Sequence, residues 1–119
     1  MPYLFVEYPK CTTCKRAKKW LEERKVKYED RHIAEKNPTV EELKKWIEKS
    51  GLETKKFFNT SGTLYKEMKL SEKLKSLSEE EQIKLLATNG MLVKRPIIVG
   101  EEFVLVGFRD VALWEEKLK

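Results

Sequence analysis

The chain has 119 residues, 40% of them hydrophobic and 38% charged, with 25 lysines and arginines against 20 aspartates and glutamates for a net charge of +5. This length suits one compact domain over residues 1–119 with its own core, and no apolar run approaches the ~20 residues that a membrane helix needs. The positive excess forms no one-signed stripe: "KKWLEERK" and "EELKKWIEK" interleave the signs as solvated helix faces do, so direct nucleic acid binding is not expected.

Met1 to Pro9 lacks a basic leader ahead of an apolar stretch, so a cytoplasmic location is expected. "YLFVEY", Tyr3 to Tyr8, is a nearly continuous apolar and aromatic run ending at Pro9, the pattern of a strand buried on both faces. From Thr12 the period changes to a helical one, with Ala17, Trp20 and Leu21 on one side, and "VKYEDRHI" follows as a second strand. In "NPTVEELKKWIEKSG", Thr39 and Glu42 have capping-box spacing, Val40, Leu43 and Ile47 share a face, and Gly51 is placed to end the helix. A helical insertion occupies about 52–90; its best piece is "SEEEQIKLLATNG", with Ser78 and Glu81 as capping pair, Ile83, Leu86 and Ala87 inward and Gly90 as the stop. "RPIIVGEEFVLVGF" places two β-branched strands around Gly100-Glu101-Glu102, and "RDVALWEEKLK" reads as a last helix with Val111, Trp114 and Leu118 inward.

The order is therefore β-α-β-α, further helices, then β-β-α, an α/β arrangement of thioredoxin-like type. A right-handed crossover makes the first two strands parallel, and the Gly100 turn makes the last two an antiparallel hairpin.

The only two cysteines, Cys11 and Cys14, fall between the first strand and the first helix. A structural zinc site takes about four ligands, and the one histidine, His32, lies at the far end of another strand, so no metal site is expected. Two small core residues are the bland alternative, and position argues against it. Pro9 ends the strand, Thr12 and Thr13 are candidate caps, and Cys11 then lies where free N–H groups and the helix dipole favour a thiolate, with Lys10, Lys15 and Arg16 adding positive charge. Cys14, one turn deeper, is placed to resolve a mixed disulfide formed at Cys11. The spacing also permits a disulfide between the two.

At these residues the chain resembles the arsenate reductase (ArsC) family of the thioredoxin-like superfamily, and in particular its Spx-related, two-cysteine branch. The resemblance runs through "YPKCTTCKRAKKWLEE", "NPTVEEL", "FFNTSGTLYKEM" and "GMLVKRPIIVGEEFVLVGF". The last is the most specific, because family members carry an Arg-Pro pair after the inserted helices and before the third strand. The resemblance implies a four-stranded mixed sheet of order 2-1-3-4 with flanking helices, a cis Arg95–Pro96 bond and Arg95 near Cys11. Arsenate-reducing members carry a Cys-x-x-Ser-Arg loop and three arginines that hold the oxyanion. Here Cys14 takes the serine position and Lys15 that of the following arginine. Arg95 matches, the middle arginine falls at or near Asn59, and the third is replaced by an apolar residue of "FVLVGF", with Arg109 close by in sequence.

These readings imply a thiol–disulfide oxidoreductase with Cys11 as nucleophile, Cys14 as resolving thiol and Arg95 assisting the thiolate or an anionic substrate group. Pro96, Thr12, Thr13, Lys15 and Asn59 are the expected substrate-binding residues. No metal or organic cofactor is implied, and glutathione is a candidate co-substrate. The implied redox partners are glutathione, glutaredoxin or a protein disulfide, with no membrane partner. Two alternatives follow from the same resemblance: an Spx-like redox-sensing regulator that binds the C-terminal domain of the RNA polymerase α-subunit, and a glutathione- or glutaredoxin-dependent arsenate reductase. Gly51 lies near the position of a glycine important for the regulators' polymerase contact and is equally explained as a helix terminator.

Overall fold

The computed structural model describes residues 2–118. The strand β1 (Tyr3–Glu7) pairs in parallel with β2 (Tyr28–His32), Tyr3 opposite Tyr28 and Glu7 opposite His32. Parallel neighbours need a crossover, and α1 (Thr12–Glu23) provides it. On its other side β1 pairs antiparallel with β3 (Ile97–Val99), which forms a hairpin with β4 (Val104–Val106) closed by the Gly100 N–H donating to the Phe103 carbonyl at 2.8 Å. The sheet order is β2-β1-β3-β4, as the resemblance implies.

Alternation along β1 divides the core into two layers. Phe5 faces Ala17, Trp20 and Leu21 of α1 and Trp114 and Leu118 at the C-terminal end, where α6 (Val111–Lys117) packs. Val6 faces the opposite layer, against Leu43, Trp46 and Ile47 of α2 (Val40–Ser50). Both strand residues are fully buried, and each such side chain contributes roughly 1.5–3 kcal/mol of transfer free energy. Glu7, in the same strand, is also buried, at 3% exposure.

Thr39 and Glu42 form the reciprocal capping box that their spacing predicts, and Gly51 ends α2 in the left-handed region at φ 70°. Between α2 and β3 lie a 3-10 turn at Thr54–Phe57, the short helices α3 (Thr63–Glu67) and α4 (Leu70–Lys73), and α5 (Glu79–Leu86), which Ser78 and Glu81 cap. One expectation changes here: α5 stops at Leu86 with Ala87 as its cap, before Gly90 is reached. Gly90 has another cause. A Cβ there would overlap the Ile33 carbonyl oxygen just beyond β2, so the chain can cross that point only without a side chain. Among the described residues no helix is long and apolar enough to cross a membrane.

Candidate active site

The turn from β1 into α1 builds the site. The Cys11 N–H donates to the Tyr8 carbonyl at 2.9 Å across Pro9 and Lys10. Cys11 itself, with extended backbone at φ −82° and ψ 124°, is the N-cap of α1, and its Sγ accepts the Cys14 backbone N–H at 3.4 Å. The cap is thus a sulfur and not a threonine hydroxyl. A cap residue precedes the helix with non-helical backbone, whereas Thr12 and Thr13 are already its first two residues.

The two thiols differ in environment. Cys14 is fully buried, and burial pushes its thiol up to about 12; the Tyr8 backbone N–H works against this, and the neighbouring Cys11 adds to it. Cys11 is half-buried. Burial alone would raise its thiol, but hydrogen bonds from the Cys14 backbone and side chain, followed by the Arg95 guanidinium, outweigh burial and hold it below its ordinary value. Both thiols are free.

Arg95 is half-buried, with its guanidinium carbon 4.9 Å from the centre of the Tyr8 ring. Its Nη1 is buried without a hydrogen-bond partner among the described residues. The Arg95–Pro96 peptide is cis. Pro96 is buried, and its carbonyl accepts the Gly107 N–H at 2.7 Å.

A groove of about 1240 Å³ opens beside Cys11, with Thr13, Arg16, Asn59, Arg95 and Arg109 in its walls. Of the residues expected to bind substrate, Thr13 and Asn59 therefore line the groove with Cys11 and Arg95. Thr12 and Lys15 are exposed outside it, and Pro96 is buried and not part of its lining. The Asn59 wall is fixed by pairing with the segment before β3. Phe58 bridges Val93, the Asn59 N–H donates to the Leu92 carbonyl at 2.8 Å, and the Lys94 N–H donates to the Phe57 carbonyl at 2.7 Å. His32 has a local role: its Nδ1 accepts the Ala34 and Glu35 backbone N–H groups at 3.1 and 3.2 Å.

Arg16, which the sequence already places beside Cys11, lines the groove from α1, and Arg109 joins it through the fold, with no periodic signal in its sequence position. Two further residues carry no motif that marks them. Tyr8 touches both cysteines through its backbone and Arg95 through its ring. Glu7 lies under α1, with Lys18 Nζ 3.6 Å from its carboxylate and 2.9 Å from that of Asp30. Burial, then the shared Asp30 contact, pushes Glu7 up to about 7, and Lys18 pulls the other way. A lone carboxylate inside an apolar strand is the sequence signal that could have pointed to it.

The sequence model of the ArsC family matches residues 6–114. The chain is 56% identical over 110 residues to the uncharacterized protein YusI of Bacillus subtilis, covering 92% of this chain and 93% of that protein. It is 30% identical over 102 residues to the global transcriptional regulator Spx of Staphylococcus haemolyticus, covering 86% and 76% respectively. Among solved structures it matches an ArsC family related protein from Bacteroides fragilis with a TM-score of 0.96 and 62% identity, over 100% of this chain and 98% of that one. It also matches an arsenate reductase from Vibrio cholerae with a TM-score of 0.85 and 27% identity, over 97% of each chain. With the family's sequence model spanning nearly all of it and its fold shared end to end with an ArsC-related structure, the chain belongs to the ArsC family.

Proposed function

We propose that this chain is a thiol–disulfide oxidoreductase in which Cys11 attacks and Cys14 resolves. The observation that carries the reading is the asymmetry of the two thiols: Cys11 accepts a backbone N–H beside a guanidinium and is held below its ordinary value, whereas buried Cys14 is pushed up to about 12. The Cys11 thiolate attacks one sulfur of a substrate disulfide, forming a mixed disulfide and releasing the other half as a thiolate. Cys14 then loses its proton, attacks the Cys11 sulfur and releases the second thiolate. The substrate gains two electrons and the cysteine pair loses two, ending as a Cys11–Cys14 disulfide that glutathione or a glutaredoxin reduces. Thr13 and Asn59 offer polar contacts to the bound substrate, and Arg95 favours an anionic group near the sulfur. Its buried, unpartnered Nη1 supports that role.

A second reading, arsenate reduction, is favoured by Arg16, Arg95 and Arg109 lining one groove with Cys11 and by the likeness to the Vibrio cholerae enzyme. The likeness to Spx favours a third, a redox-responsive regulator that binds the C-terminal domain of the RNA polymerase α-subunit.

One experiment separates them: the purified protein is assayed with a glutathione mixed disulfide, a model protein disulfide, and arsenate plus external thiol, alongside a pull-down of the α-subunit domain. The oxidoreductase reading expects disulfide turnover that Cys11→Ser abolishes. Turnover of arsenate alone supports the second reading. Binding of the α-subunit domain without any turnover, disrupted by Gly51→Arg, supports the regulator and overturns the leading one.

A further inference from the structure

We infer that Tyr8 is a positioning residue for the reactive sulfur and that it acts through Arg95. The inference deepens the proposed function and takes from it the role of Cys11 as nucleophile. Tyr8 lies at the exit of β1, where its carbonyl accepts the Cys11 N–H at 2.9 Å and its own backbone N–H faces the Cys14 sulfur. Those two contacts belong to the backbone and any residue could make them. The ring contacts need an aromatic side chain. The Arg95 guanidinium carbon lies 4.9 Å from the ring centre, within the range of a cation–π contact. The ring also meets His32 edge-to-face, 5.7 Å between centres at 89°.

His32 is tied to the backbone around it. Its Cα stands opposite Glu7 in the β1–β2 register, and its Nδ1 accepts two backbone N–H groups, which favour the ring orientation that meets the tyrosine. The sheet edge thus orients the imidazole, the imidazole backs the Tyr8 ring, and the ring carries the guanidinium. Among the described residues no carboxylate pairs with Arg95, and its buried Nη1 has no hydrogen-bond partner. An arginine side chain held by no carboxylate has many rotamers open to it. The aromatic face is what keeps this one beside Cys11, where its charge lowers the thiol.

The test reads Cys11 directly, through the rate of alkylation by iodoacetamide against pH in the wild type, Tyr8→Phe, Tyr8→Leu and Arg95→Gln, with thermal unfolding as a control. Tyr8→Phe should keep the wild-type alkylation midpoint, because the ring and not the hydroxyl makes both contacts. Tyr8→Leu should raise it by about half a pH unit. In the Arg95→Gln background the same Tyr8→Leu change should add nothing, because its effect runs through the guanidinium. If Tyr8→Leu does not fold, ring-fluorinated phenylalanines at position 8, which carry no ionisable hydroxyl, draw charge from the aromatic face at nearly constant shape, and the midpoint should climb with fluorine content. A midpoint lowered in the wild type but indifferent to Tyr8→Leu or to fluorination overturns this inference alone, as does a shift of equal size with and without Arg95. An ordinary midpoint in the wild type overturns the activated Cys11 as well.

Discussion

The backbone N–H of Cys14 points at the sulfur of Cys11 from 3.4 Å, so the residue assigned to resolve a mixed disulfide is bonded through its own main chain to the atom that it attacks. The same hydrogen bond that stabilises a Cys11 thiolate sets the distance between the two cysteines, and helix α1 supplies both by starting at residue 12.

The two thiols should therefore react at different pH. Iodoacetamide at neutral pH is expected to label Cys11 and spare Cys14, with the Cys11 midpoint below the ~8.5 of a free thiol. Peptide mass mapping of singly labelled protein checks it. Preferential labelling of Cys14 would reverse the roles.

Substitution of Cys14 should stall the proposed reaction halfway. Cys14→Ser is expected to accumulate a covalent adduct between Cys11 and half of the substrate, while the wild type under mild oxidation should lose two hydrogens per monomer. Intact-protein mass spectrometry distinguishes both from the disulfide-linked dimers that a solitary reactive thiol would give.

Removal of the guanidinium should slow disulfide turnover modestly. Arg95→Ala is expected to lower kcat/KM about fivefold, corresponding to the ~1 kcal/mol of one partly exposed charge contact, with the Cys11 midpoint shifted upward. Near-complete loss with arsenate, against this small loss with disulfides, would show that the arginine grips an oxyanion.

Glu7 makes a prediction about stability. Its folded value of about 7 lies above the ordinary 4.5, so the folded state binds this proton more tightly than the unfolded chain does. Stability from this group is therefore fully present below pH 4.5 and is lost as pH rises toward about 7, by at most about 3 kcal/mol. Asp30 opposes the trend only at lower pH, because burial is outweighed by its contacts with Glu7 and Lys18, which hold it below its ordinary value. Glu7→Gln should flatten the stability profile between those limits in urea titrations run at a series of pH values, and an unchanged slope would place the titrating group elsewhere.

Much of this architecture is legible in the sequence because its signals are local. Thr39 with Glu42 and Ser78 with Glu81 each satisfy one helix start within four residues, and the Gly100 turn closes a hairpin over the next few. The cysteine pair is legible for the same reason, as is Arg95 once the Arg-Pro pair is matched to the family. What the sequence hides is long-range. Arg109 joins Cys11 and Arg16 only because the segment after β4 converges on the start of α1 at one end of the sheet. The ring of Tyr8 finds Arg95 across a separation that no periodicity encodes. Gly90 looks like a helix stop by composition alone, whereas its cause is the carbonyl of a residue far earlier in the chain.

That crossing at Gly90 separates two kinds of change. The Asn59 wall of the groove hangs on the strand-like segment from Leu92 to Lys94, which Gly90 lets pass against Ile33. The reactive sulfur, by contrast, is set by β1 and α1. The width of the channel and the chemistry at its floor are thus governed by different parts of the chain. Substitutions in the insertion that keep position 90 a glycine can therefore reshape the Asn59 wall while the nucleophile stays where it is. Gain of a new substrate in this lineage would then be written in a loop that never touches sulfur.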